Sequence, residues 1–284
     1  MKLIRSPYRT DFYMWHGISA LFFSSYVTDV HSHNTLQIFV DLHDNFKCKI
    51  GNGKWESYKS LVIKENVMHQ LDTNGSTQLL IYLDKDTHAA KKLKTKYLGQ
   101  QDIFVPDVNI LTGIEPDVLQ QTLLEPDAQK MLNIVNRVIE ILCGSQILKS
   151  DKRISKARQL LAEKHPSELS VKNIADEVCL SESRVRALFK AETGIPLYNY
   201  IIWARIRYAV NKIINGYSVN EAALEAGFTD SSHFHKMMVK MFGINPSYIF
   251  KNNKSFHILL CDTIPLKFET SVYNKYGEVE NIYR

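Results

Sequence analysis

The stretch that decides the fold reads SVKNIADEVCLSESRVRALFKAETGIP from Ser170 to Pro196. After a spacer it continues SVNEAALEAGFTDSSHFHKMMVKMFGINP from Ser218 to Pro246. One small pattern is written twice. Ser170 pairs with Ser218, Ala175 with Ala223, Cys179 with Gly227 and Leu180 with Phe228, an offset of 48 residues. Beyond the second turn the offset is 49, and Val185 pairs with Phe234, Phe189 with Met238 and Gly194 with Gly243. Each copy has the form of a helix-turn-helix. Ser170 and Ser218 suit the N-cap position, and Ser218 with Glu221 makes a capping box. Ala175 and Ala223 are small where two helices must cross closely. Cys179 and Gly227 occupy the turn, where glycine takes φ > 0 freely. Ser181 and Asp230 are placed to cap the second helix of each copy. Any two short amphipathic helices imitate a single such pattern; two copies joined by a helix are far more specific.

The spacer, 197–215, repeats Ile202, Ile206, Val210 and Ile213 at helical spacing. A helix of that length spans about 27 Å at 1.5 Å per residue. Successive major grooves on one face of B-DNA lie about 34 Å apart. Such a rod would hold two recognition helices in neighbouring grooves.

On these residues the chain resembles the AraC/XylS family of transcription regulators over about a hundred residues, from Ile154 to roughly Phe250. The most specific pieces are LFKAETGIPLYNYI, ARIRYAVNKII and AGFTDSSHFHKMMVKMFGINPSYI. Two positions depart from the family pattern: Cys179 stands at its usual turn glycine and Met238 at its usual aromatic. The resemblance implies an α+β chain, with an N-terminal cupin-like β-barrel sensor followed by an all-α DNA-binding domain with two helix-turn-helix motifs. The expected divisions are 1–100 for the ligand-sensing domain and 101–150 for a linker holding a candidate dimerisation helix at 126–143. The double helix-turn-helix comes next at 151–250, then a C-terminal extension of unknown role at 251–284.

Charge agrees with that division. Residues 151–254 hold 16 Lys/Arg against 10 Asp/Glu, a net of +6, while residues 1–150 hold 16 of each. The basic excess of the whole chain, +5, therefore sits with the repeated motif, as phosphate binding requires. Cys48, Cys143, Cys179 and Cys261 show no metal-ligand spacing and read as free thiols in a reducing compartment. Lys2, Arg5, Arg9 and Asp11 precede any apolar run, so the start does not resemble a signal peptide. No apolar run approaches the roughly 18 residues of a membrane span. The expected localisation is cytoplasmic, with no membrane partner.

Residues 12–83 read as short strands. Leu36, Ile38, Val40 and Leu42 alternate with Gln37, Phe39, Asp41 and His43, and 46–50, 60–64 and 78–83 are further strands between Asn- and Gly-rich turns. This spacing suggests a small barrel or sandwich. His31, His33, Gln37 and His69 follow the order of a metal-binding cupin set, but Gln37 stands where a divalent ion would favour a carboxylate. The expectation is therefore no metal and no cofactor, with these residues lining an effector pocket. Trp15, Phe22, Phe23, Tyr26, Phe39 and Trp55 would supply its apolar walls.

Residues 88–97 read as a helix with a solvated basic face, and 99–116 as irregular linker broken by Pro106, Gly113 and Pro116. In 126–143, Met131, Val135, Val138 and Leu142 form a short a/d seam, suited either to a second copy of the chain or to its own barrel. Residues 144–151 read as a hinge. Residues 153–164 open the DNA-binding half as a helix. In the tail, 256–260 and 267–272 would pair as two strands across Pro265.

A recognition helix offers its N-terminal and outward residues to base edges. With Val185 and Leu188 inward, Ser183, Arg186 and Ala187 face the groove, and Arg184 and Lys190 suit phosphates. With Phe234 and Met237 inward, Ser231, Ser232, His235 and Lys236 face outward. These are the positions that match the family's contact sets. The expected partners are double-stranded DNA, RNA polymerase, a small-molecule effector and a second copy in a homodimer. No catalytic residues are assigned, and the chain is expected not to be an enzyme. The alternative is a metal-dependent cupin-type enzyme fused to a DNA-binding domain. A non-specific architectural DNA binder fits less well, because few basic residues lie beyond the motif helices.

Overall fold

The computed structural model describes residues 10–15, 17–24, 27–107, 109–144, 151–242 and 256–260. The N-terminal half holds two sheets. The larger contains β1 (Thr10–Met14), β2 (Ile18–Ser24), β3 (Thr35–Asp41), β6 (Ser60–Ile63), β8 (Thr77–Asp84), β9 (Ile103–Phe104) and β10 (Phe256–Leu260), in the order β10-β1-β2-β8-β3-β6-β9. The smaller contains β4 (Phe46–Ile50), β5 (Trp55–Tyr58) and β7 (His69–Asp72), in the order β5-β4-β7.

The two faces of the large sheet are both covered, so β3 is buried along its whole length. Strand alternation usually separates core from solvent; here it sorts two buried layers. Leu36, Ile38 and Val40 belong to one core and Phe39 to the other. The Phe39 and Phe46 rings, 5.7 Å apart, join the two sheets. The opposite face is covered by α1 (His88–Leu93), α2 (Pro116–Leu124) and α3 (Ala128–Cys143).

Helix α3 shows where the a/d seam goes. Met131, Val135 and Val138 are wholly buried and Leu142 nearly so, in one core with the sheet and with Ala89, Ala90 and Leu93 of α1. Leu132, Ile134 and Ile139 are buried too. An apolar stripe this wide, with Gln129, Asn133, Arg137 and Glu140 left on the outer side, suits packing on a domain core rather than a narrow two-helix seam. The seam therefore docks on its own sheet. Pro116, read from sequence as a breaker, opens α2 instead: in the first turn of a helix its missing N–H costs nothing. Helix α1 runs on into a π turn, Lys94–Leu98. Its basic residues are not all solvated, since Lys94 pairs with Glu65 at 2.8 Å.

The tail strand packs on the N-terminal sheet. β10 lies parallel to β1, from Thr10↔Phe256 to Met14↔Leu260, and so covers an edge of the N-terminal sheet. Its expected partner at 267–272, the centre of the hinge at 145–150, and Tyr26 lie outside the described residues.

The C-terminal half contains α4 (Lys152–Glu163), α5 (Val171–Glu177), α6 (Glu182–Thr193), α7 (Leu197–Ile214), α8 (Val219–Glu225) and α9 (Ser231–Phe242). Ser170 caps α5, Ser181 caps α6, and Ser218 with Glu221 forms the full capping box of α8. The Asp230 carboxylate accepts from the His233 N–H at 2.7 Å. The duplication holds at the level of single bonds. Leu180 N–H donates to Ala175 O at 2.9 Å, and Phe228 N–H to Ala223 O at 3.0 Å. Both turns take positive φ, +88° at Gly227 and +54° at Cys179.

The two halves meet at the end of α6. Gly194 ends that helix in the left-handed region, at φ +79°. A Cβ there would stand 2.7 Å from both Asp86 O and His88 N. Around it, Lys91 Nζ donates to Gly194 O at 3.0 Å and His88 Nε2 to Glu192 O at 3.0 Å. The buried Asp84 carboxyl faces Trp203 of α7, whose indole offsets part of the upward push that burial gives its pKa.

Two substitutions test these backbone readings. Gly194→Ala combines left-handed strain, roughly 1–2 kcal/mol, with a backbone clash; it is expected to cost at least about 2 kcal/mol and lower Tm by roughly 4–8 °C in a calorimetric scan. Cys179→Gly removes strain of the same origin, offset in part by the greater unfolded freedom of glycine; it should stabilise by about 0.5–1 kcal/mol in urea denaturation.

Candidate functional site

The second helix of each motif presents an open face. In α6, Val185 and Phe189 are fully buried, which turns Ser183, Arg184, Arg186, Ala187 and Lys190 to solvent. Leu188 is half-buried. In α9, Phe234 and Met238 are fully buried, Ser232 and Lys236 are exposed, and Ser231 and His235 are half-buried. The sequence reading put Met237 inward. It is only partly buried, because Met238 takes the place equivalent to Phe189. Nine side chains read from sequence as DNA-facing thus lie on two helices, with none of them buried.

Arg186 is not idle in this state. Its guanidinium pairs with Glu182 one turn earlier, at 3.0 Å, and both side chains are about half exposed. An exposed i,i+4 pair is worth about 0.3–0.5 kcal/mol. A bidentate contact to guanine discriminates by about 1–3 kcal/mol, so a base edge can outcompete Glu182.

The face is held from behind by α7. Arg205 of this helix donates to Leu169 O at 3.0 Å, tying the spacer to the entry of the first motif. Tyr200, Ile201, Ile202, Trp203, Ile206 and Val210 bury its inner side. A spacer clamped on both motifs does not let them tumble independently.

The second group gathers in the N-terminal half. His31, His33 and His69 converge, with ring centroids 4.7 Å apart for His31–His33, 4.4 Å for His31–His69 and 5.6 Å for His33–His69. Residues 27–31 run beside β7. His31 N–H donates to His69 O at 3.0 Å, His69 N–H to His31 O at 2.9 Å, and Asn66 N–H to His33 O at 2.7 Å. The Phe39 ring stands 6.2 Å from His69, and the Tyr82 ring 5.1 Å from His33. Gln37 lies opposite Tyr82 in the β3–β8 register and is buried, its Nε2 without a hydrogen-bond partner among the described residues.

Trp15 is not part of this group. It stacks with Tyr13 at 6.0 Å in the core beneath the helices, on the other side of the sheet. Phe22 belongs to that layer as well, and Trp55 is 45% exposed. Successive strand residues point to opposite faces, so aromatics close in sequence separated into different layers.

The contact joining the halves was missed from sequence. Asp84, His88 and Lys91 carry no motif, and only the glycine at 194 hinted at a close approach.

A helix-turn-helix domain family matches residues 174–252. The chain is similar to the uncharacterized HTH-type transcriptional regulator YpdC of Escherichia coli K12, 22% identical over 138 residues that make up 48% of each chain. It is also similar to the Msm operon regulatory protein of Streptococcus mutans, 27% identical over 95 residues, 33% of this chain and 34% of that one. The chain thus spans about half the length of the first of these relatives and a third of the second. Among solved structures, ToxT from Vibrio cholerae O395 is 14% identical, with 83% of this chain and 98% of that chain covered and a TM-score of 0.43. Residues 174–252, which hold most of the two capped motifs and their clamped spacer, are thus similar to a helix-turn-helix domain family.

Proposed function

We propose that this chain is a sequence-specific, double-stranded-DNA-binding transcription regulator whose DNA affinity is set by a small effector held in the N-terminal half. The observation that carries the first part is the open face of α6 and α9, backed by a buried core and lying in the half of the chain with net charge +6. Arg186 and Lys236 read bases, with Ser183, Ala187, Ser231, Ser232 and His235 beside them. Arg184 and Lys190 hold phosphates and supply the salt-dependent part of the affinity.

The second part is supported by the junction at Gly194. Tyr82 of β8 touches His33, and two residues further along the chain Asp84 faces Trp203 of α7. Thr87 and His88 then meet the end of α6. An effector that favours one arrangement of β8 would therefore bias the seating of the first recognition helix; the coupling equals its differential affinity for the two arrangements. A homodimer would use a face other than the α3 seam. RNA polymerase is the further partner of such a regulator, and its place of action is the cytoplasm. No helix among the described residues is long and apolar enough to cross a membrane.

Selection of bound fragments from random DNA, followed by affinity measurement, tests the assignment. Arg186→Ala should cost about 1–3 kcal/mol on the selected site and relax base choice at one position. Lys190→Ala should weaken selected and random DNA alike and reduce the salt slope by about one. An unchanged selection profile for Arg186→Ala would remove Arg186 from base reading.

A further inference from the structure

We propose that His31, His33 and His69 form a three-imidazole site for a divalent transition-metal ion of the zinc, cobalt or nickel class. The argument begins with the protons. The Nδ1 atoms of His31 and His69 lie 2.8 and 2.9 Å from the carbonyl oxygens of Asp29 and Val67. A carbonyl only accepts, so each Nδ1 carries the hydrogen and each Nε2 keeps its lone pair. Carbonyl-bound Nδ1–H is also how metal-ligating histidines are oriented, which fixes tautomer and ring direction together.

The lone pair of His69 has no other use among the described residues. His69 is 1% exposed, and its Nε2 is buried without a hydrogen-bond partner among the described residues. A native fold rarely leaves such an acceptor unmatched.

The spacing suits an ion after a small closure. One ligand atom from each histidine lies within 4.8 Å of the others. Nitrogens bound tetrahedrally at about 2.0–2.1 Å stand roughly 3.4 Å apart, so the rings must draw together by up to about 1.4 Å. His33 and His69 are buried, whereas His31 is half-buried and has the most room to adjust. Three imidazoles without a carboxylate select borderline transition metals over magnesium or calcium. The amide at Gln37, which argued against a metal in the sequence, is thereby not needed as a ligand. Three protein ligands leave a fourth position open to water or a small donor molecule. That the ion acts as the effector, or anchors it, rests on the regulatory reading above; the metal site itself does not.

The test uses the full chain, stripped with chelator and titrated with CoCl2 by visible absorption and equilibrium dialysis. The expected result is one Co²⁺ per chain with the intense bands of a four-coordinate ion. His31→Gln and His69→Gln should each weaken binding at least tenfold, and the control His43→Gln should bind like the parent. Circular dichroism checks that each variant is folded; His31→Gln, at a half-buried position, keeps the test valid if His69→Gln unfolds. No stoichiometric uptake, or uptake by His31→Gln as tight as the parent's, overturns the site. DNA binding by the stripped protein is scored separately, so loss of the regulator reading cannot be confused with loss of the metal.

Discussion

The backbone-to-backbone contact at Gly194 is the constraint on which the arrangement of this molecule depends. A recognition helix has to end, and α6 ends in a left-handed residue whose missing side chain admits the turn at Asp86–His88. Lys91 and His88 then bond the freed carbonyls at that end, which the helix itself leaves unpaired. The N-terminal half therefore supplies part of the C-terminal cap of α6, the second helix of the first motif.

A second constraint is the two-sided burial of the large sheet. Helices α1 to α3 seal one face and the small sheet seals the other, so both layers must be filled from one set of strands. One buried carboxylate in this half is held by several specific partners. The Asp41 carboxylate accepts from Ser76 Oγ at 2.6 Å, from Gln78 Nε2, and from the N–H groups of His43 and Asp44. His69 Nε2 and Gln37 Nε2, by contrast, are buried without a hydrogen-bond partner among the described residues. The histidine group and the α6 junction share β8, through Tyr82 and Asp84, and so lie at two ends of one short path.

Reading from sequence was strongest where a local rule is strict. The capping serines at 170, 181 and 218 act as expected, because a helix start needs a short side-chain acceptor whatever surrounds it. The apolar face of α7 is buried as its spacing requires, apart from Ile213 at its frayed end, which is half-buried. Turn positions at Cys179 and Gly227 are fixed by the 48-residue offset. Reading was weakest where two surfaces compete for one residue. Trp15 and Phe39 look alike in sequence but fall in different layers, and Pro116 is a breaker or a helix opener according to the residues on its C-terminal side.

By itself, then, the sequence determined the double motif, its spacer and the outward side chains of α6 and α9, since each rests on contacts within about a turn along the chain. Tertiary structure alone decided the rest. It buried the α3 seam in its own domain, laid the tail strand beside β1, brought His31 and His33 against His69 across the sheet, and closed Asp86–His88 onto Gly194. All four join residues dozens of positions apart, and no local spacing records which distant surface a given face will meet.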